Sequence, residues 1–219
     1  MKHLVFLASG NGGNLKFFFL ALRYSIVHNL RLTVIADREC GSIDFARING
    51  LENYVITYKR TENKELLALL GRLNPDVIVT NWHKIIDEST VTAFSGKLIN
   101  LHYSLLPAFG GLIGIEPIER AYKQGCRYIG PTCHFVDEGV DTGKIIAQAI
   151  FTTDIPINEA VRCMFRKGCV VLLNGIQRVT GNRFIEGENI SGEELSFSPA
   201  FGFNDQSFSE EFWKELASL

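Results

Sequence analysis

Five short apolar runs recur through the first hundred residues, at 3–8, 32–36, 53–57, 76–80 and 97–101. A helix-period segment follows each of the first four, at 14–28, 42–49, 61–73 and 89–94. No other feature constrains the chain as strongly. Parallel strands cannot be joined by a hairpin and need a crossover of a dozen or more residues, usually a helix. Strands covered on both faces read as near-continuous Val/Ile/Leu runs, as these do. The expected fold class is α/β: a mostly parallel, Rossmann-like sheet with helices on both faces. Within it, Leu15, Phe18, Phe19, Leu22 and Ile26 share one side of the first helix, and Leu66, Leu67, Leu69, Leu70 and Leu73 form the stripe of the third. Ser42 is placed to cap the second.

The second half changes pattern. Residues 116–123 read as a helix, and 128–136 and 144–152 as neighbouring strands joined by 137–143, D-E-G-V-D-T-G. A longer helix spans 158–179, with Val161, Met164, Cys169 and Leu172 among its apolar positions. From Thr180 the chain is rich in Ser, Glu, Gly and Phe without a period. The expected organisation is one domain over 1–180 and a C-terminal extension, 181–219, packed on it or trailing from it.

Bulk properties exclude several classes. A net charge of -2 argues against a nucleic-acid surface, which needs a basic face. The 5 cysteines form no C-x-x-C pair, so neither a disulfide framework nor a zinc cage is suggested, and a cytoplasmic chain with reduced thiols fits. The runs after Lys2 and at 17–22 are split by a Gly/Asn cluster, so neither a signal peptide nor a membrane span is expected. The expected partners are small molecules, and a homodimer is compatible with this composition.

Three motifs carry chemistry. The stretch 98–107, L-I-N-L-H-Y-S-L-L-P, places Asn100 and His102 two residues apart, on the same side of an extended strand, before Pro107 stops the ladder. An amide donor beside an imidazole can stabilise a developing oxyanion. The loop 9–14, S-G-N-G-G-N, joins a strand to a helix, where glycines admit close backbone approach and the helix N-terminus favours an anion such as phosphate. A dinucleotide fingerprint would need glycine where Leu15 stands, although Asp37 mimics the ribose-binding acid of such folds. Third, Asp141 lies in the D-E-G-V-D-T-G loop and could orient His102, with Asp137 and Glu138 as competitors for that place. His134, in a strand, reads as structural or as a supporting partner.

Four segments in order closely resemble the folate-dependent formyltransferases: S-G-N-G-G-N, N-L-H-Y-S-L-L-P, G-P-T-C-H-F-V at 130–136, and D-E-G-V-D-T-G. The resemblance runs from about residue 1 to about 180 and is greatest to the branch that formylates glycinamide ribonucleotide in purine biosynthesis. It implies the formyltransferase fold and 10-formyltetrahydrofolate as co-substrate, with no metal. It implies a catalytic trio of Asn100, His102 and Asp141, and phosphate binding at Gly12, Gly13 and Asn14. It also implies a folate pocket from Trp82, His83, Lys84, Ile85 and Ile86 together with Val136, Asp137 and Glu138.

The departures fall mostly on the acceptor side. Gly13 replaces a Ser, His83 and Lys84 replace Met and Arg, and the segment after Pro107 lacks the family's L-H-T-H pattern. Gly168 aligns with a Glu that the family uses on the ribose. The alternative readings are therefore an N-formyltransferase for another phosphorylated amine, such as a nucleotide-linked amino sugar, or a non-catalytic folate- or nucleotide-binding domain.

Overall fold

The computed structural model describes residues 1–184, 197–198 and 207–219. Its centre is the strand β1 (Lys2–Ala8), buried from His3 to Ala8. Alternate side chains divide between the two faces of the sheet. Leu4, Phe6 and Ala8 join one core, and Val5 and Leu7 the other. β1 pairs in parallel with β2 (Leu30–Ala36) on one side and with β4 (Val77–Asn81) on the other. Beyond β2 lies β3 (Glu52–Val55), and beyond β4 lies β5 (Leu98–His102), both parallel to their neighbours. The 8-stranded sheet is completed by antiparallel β7 (Thr132–Phe135), β8 (Ile145–Ala149) and β10 (Phe197–Ser198) beyond β5. The mostly parallel sheet with helices on both faces is therefore as expected.

Helices α1 (Gly13–Arg23), α2 (Gly41–Ile48) and α6 (Ile157–Thr180) supply the core on the first face. Helices α3 (Lys64–Leu73) and α4 (Glu88–Ala93) supply the second, through Leu66, Leu69, Leu70 and Val91. Helix α5 (Glu116–Lys123) packs with α6 in a smaller cluster around Ile118, Ala121 and Met164. Helix α7 (Glu210–Ser218) lies on α1, and Phe208, Phe212 and Leu216 are buried in the first core. Of the expected extension, 185–196 and 199–206 lie outside the described residues.

Several local expectations are corrected. The first helix ends at Arg23 rather than 28, because Ser25 sits at φ 56, outside right-handed helix space. Ser42 does not cap α2. Cys40 occupies the cap position, and the Ser42 hydroxyl instead donates to Gly10 O at 2.6 Å, tying α2 to the glycine loop. The expected strand 128–136 divides into β6 (Tyr128–Ile129) and β7, because Pro131 has no N–H to donate and Gly130 passes so close to β8 that a Cβ would lie 1.7 Å from Ala149 O. The partner of β6 is β9 (Phe151–Thr152), separated from β8 at Ile150.

Strand order places the site. The chain moves outward from β1 to β2 and β3, then returns to β1's other side at β4. The crossovers leave a crevice at the carboxyl ends of the strands where the order reverses, between β1 and β4.

Candidate active site

A cleft of about 540 Å³ opens at that reversal, lined by the ends of β4 (Thr80, Asn81) and β5 (Asn100, Leu101, His102), by Asn14 of α1, and by three loops. The volume suits a small-molecule site. Among the described residues no helix is long and apolar enough to cross a membrane, and no group of three or more His, Cys, Asp or Glu could hold a metal ion.

One polar group of the cleft is built on β5. Asn100 stands opposite His134, and His102 opposite Thr132, in the antiparallel pairing with β7. Thr132 Oγ1 donates to Ser104 O at 2.6 Å and accepts from Leu106 N at 3.1 Å, which fixes the chain as it leaves His102. The loop 137–143 then turns back over this strand end. Gly143 comes so near the preceding strand that a Cβ would lie 1.7 Å from Phe135 O, and Gly139 packs on Thr142. Asp137 accepts from Gly139 N and Thr142 Oγ1, at 3.1 and 2.7 Å, and so closes its own loop.

This course carries Asp141, at φ 54, to the imidazole. His102 Nδ1 lies 3.2 Å from Asp141 Oδ2, with both side chains largely buried. The same oxygen accepts from Gly111 N at 2.8 Å. Asp141 Oδ1 accepts from Asn100 Nδ2 at 3.3 Å and lies 3.5 Å from His134 Nε2. Burial works against the ionised form of Asp141. The hydrogen bond from His134, the Gly111 N–H and the nearby imidazoles outweigh it and hold the carboxyl below its usual range.

His102 Nε2 lies 3.0 Å from Phe109 O, so both ring nitrogens face oxygen acceptors, which only a ring with hydrogen on both nitrogens fully satisfies. His134 Nδ1 lies 2.8 Å from Phe135 O, and its Nε2 lies 3.4 Å from the Asn100 amide nitrogen. The two Asn100 contacts are long and weak, so little holds the amide from turning a hydrogen toward a substrate oxygen. Asn100, His102 and Asp141 thus meet at one cleft wall. Neither Asp137 nor Glu138 takes the place beside His102.

The opposite wall is the segment 82–86, fixed at both ends. Lys84 Nζ reaches Asp37 Oδ2 at 3.1 Å and donates to Tyr58 O at 3.0 Å. The Asp37 side chain is only 3% exposed and also accepts from both Arg38 Nε and Nη2, at 3.1 and 2.8 Å. Burial would raise its pKa, but Arg38, Trp82 and Lys84 hold the carboxyl far below its usual range. At the other end, Tyr58 Oη donates to Ile85 O at 3.2 Å and accepts from Asp87 N at 2.8 Å. Its ring packs on Trp82 at a tilt of 32°, with centroids 4.8 Å apart. Burial first, then the Asp87 charge, pushes the Tyr58 phenol up to about 12. Asp87 caps α4 through Thr90 N at 2.8 Å, and donors around it hold its carboxyl at about 2 despite burial.

Of the expected folate-contacting residues, Trp82, His83, Lys84, Ile85, Ile86, Val136 and Asp137 line the cleft. Glu138 does not. It sits exposed on the outer side of its loop. Asp37 is not a ribose-binding acid here, because its carboxylate is occupied by Arg38 and Lys84. At the glycine loop, only Asn14 reaches the lining. Gly12, at φ 69, faces Ser42, where a Cβ would meet Oγ at 2.7 Å; Gly13 faces Phe165, where it would meet the ring at 2.8 Å. The Asn14 side chain turns inward, donating to Asn81 Oδ1 at 3.4 Å and accepting from Cys169 Sγ at 3.6 Å. Sequence reading passed over Asn81 and Tyr103, which also line the cleft. The position of Asn81, at the end of a strand beside the reversal, was the available signal for it.

Residues 2–162 match the family model described as formyl transferase. The chain is 34% identical to the chloroplastic phosphoribosylglycinamide formyltransferase of Arabidopsis thaliana over 74% of its own length and 60% of that protein's. It thus spans less than two thirds of the plant relative. It is 31% identical to phosphoribosylglycinamide formyltransferase of Bacillus subtilis, with 70% of this chain and 81% of that protein covered. The crystal structure of glycinamide ribonucleotide transformylase 1 from Symbiobacterium toebii superposes with a TM-score of 0.73 at 28% identity, covering 85% of this chain and 92% of that one.

Proposed function

The chain belongs to the formyl transferase family, and from that premise we propose that it moves a formyl group from 10-formyltetrahydrofolate to the amine of glycinamide ribonucleotide, in purine biosynthesis. The observation that carries the reading is the meeting of an amide, an imidazole and a carboxylate at one wall of a cleft, in a chain similar over most of its length to proteins named for that reaction.

The donor supplies an electrophilic formyl carbon. Trp82, Ile86 and Val136 offer apolar contact for its ring system, and the peptide groups of 82–86 and 136–141 offer hydrogen bonds, so the residues present suit it. As the acceptor nitrogen bonds to that carbon, negative charge gathers on the formyl oxygen. His102 Nε2–H exchanges Phe109 O for this oxygen, and an Asn100 N–H turns to it. One such donor is worth roughly 10²–10³ in rate. Asp141 holds the ring by Nδ1 and balances its charge. The C–N bond to the donor then breaks, and the proton shed by the acceptor nitrogen ends on the donor nitrogen. The first N–H groups of α1, ahead of its first intrahelical bond from Lys16 N to Gly12 O, face an acceptor phosphate. Holding that phosphate orients the amine. Small molecules are its partners, and the free thiols suit the cytoplasm.

The packing of Phe165 on Gly13 favours, as a second reading, another phosphorylated amine such as a nucleotide-linked amino sugar. Purified protein supplied with the donor and each amine in turn decides. Formyl-glycinamide ribonucleotide is the expected product, and transfer to the sugar amine alone would replace the first reading with the second.

A further inference from the structure

Tyr103 follows His102 directly and lines the cleft with Asn14 and Asn81. Its ring lies across α6. A Cβ built at Gly168 would stand 3.2 Å from Tyr103 Cε1 and 3.2 Å from Leu101 Cδ2, so the absence of a side chain at 168 makes the room that the ring takes. Two turns of chemistry meet here, since Phe165 closes the face of Gly13 from the same helix.

The Tyr103 hydroxyl makes no hydrogen bond within the described residues. Burial, and to a smaller extent Cys169, raises its pKa well above the usual phenol range, so it keeps its proton and stands as a donor. The ring is partly buried against the core and lines the cleft, which leaves the hydroxyl to water or to a bound ligand. On α6, Arg166 pairs with Glu210 at 2.5 Å and lies against the Trp213 ring.

We propose that Tyr103 is a specificity-determining residue for the acceptor: its hydroxyl donates to a sugar oxygen of the bound amine, while its ring occupies the space over Gly168 and limits how the sugar can lie. The inference rests on the acceptor reading above and assigns the sugar contact to the side chain that follows β5 rather than to one from α6.

Steady-state kinetics of Tyr103→Phe, with glycinamide ribonucleotide varied at saturating 10-formyltetrahydrofolate, test it. Loss of one neutral hydrogen bond to substrate raises the acceptor KM about two- to twelvefold. The donor KM stays at the wild-type value and kcat changes by less than about twofold, since the contact is made equally in ground and transition states. The melting temperature is unchanged, because no bond within the protein is lost. Gly168→Ala, whose methyl displaces the ring, raises the acceptor KM in the same selective way. A wild-type acceptor KM in Tyr103→Phe overturns the proposal, as does a fall in melting temperature without a kinetic change. Wild-type protein that transfers nothing to glycinamide ribonucleotide overturns the acceptor reading and this proposal together. Wild-type transfer with an unaltered variant overturns this proposal alone.

Discussion

Replacing Asp141 with Asn keeps the shape of the side chain and removes half of its accepting capacity. Four groups converge on the carboxylate: Gly111 N at 2.8 Å, His102 Nδ1 at 3.2 Å, Asn100 Nδ2 at 3.3 Å and His134 Nε2 at 3.5 Å. An amide offers one oxygen, so its NH₂ must face two of these groups, and at least one meeting is donor against donor. Hydrogen bonds to a charged partner contribute about 1.5–3 kcal/mol each, and relief of the buried charge offsets part of the loss, leaving a net cost of roughly 2–4 kcal/mol. For a chain of this size that lowers the melting temperature by on the order of 10 °C. Turnover falls by about 10²–10⁴ as the imidazole loses its orientation. The pH dependence has a definite sign. A carboxyl held below its ordinary value of 3.8 contributes stability that is complete above that value and lost as pH falls through the lower folded value. The gap in stability between wild type and variant therefore narrows below about pH 3.8. Calorimetry across pH together with a formyl-transfer assay measures both. Asp141→Asn with wild-type melting and turnover would refute the reasoning.

Asp37→Asn weakens the anchor of Lys84 and loosens the segment 82–86, so the donor KM is expected to rise roughly tenfold with kcat preserved at saturating donor. Steady-state kinetics separates the two, and a fall in kcat alone would contradict this role. Phe212→Ala removes a fully buried ring from the aromatic cluster that joins α7 to Phe17 of α1 and costs roughly 3–5 kcal/mol by urea denaturation. A variant as stable as the wild type would mean that the extension is not part of the core. Gly143→Ala places a methyl against Phe135 O and should yield little folded protein, whereas Gly71→Ala, where a Cβ meets nothing within 4 Å, should fold as the wild type does. Expression and circular dichroism compare them.

The parallel half of the fold was legible because its strands are buried on both faces, so the apolar runs report it directly. Helix α5 matched its expected bounds for a related reason: an amphipathic segment with acidic residues in its first turn and basic ones in its last states its own limits. Phe17 was passed over because a one-sided stripe was assumed for α1. Helix α7 covers the side that periodicity leaves to solvent, so Phe17 is fully buried too. Alternation could not choose among Asp137, Glu138 and Asp141. The choice depends on how Gly143 packs on Phe135 O and on a left-handed residue at 141, neither of which has a periodic signature. The inward turn of Asn14 toward Cys169 depends on a contact 155 positions away, which no local pattern carries.

The central claim is that His102 carries the chemistry and not the architecture of the donor pocket. Single-turnover formyl transfer by His102→Ala, measured beside donor binding by calorimetry, addresses it most directly. The expected rate is lower by about three orders of magnitude, with the donor bound within about threefold of the wild-type affinity. Transfer at near wild-type rate in that variant would contradict it.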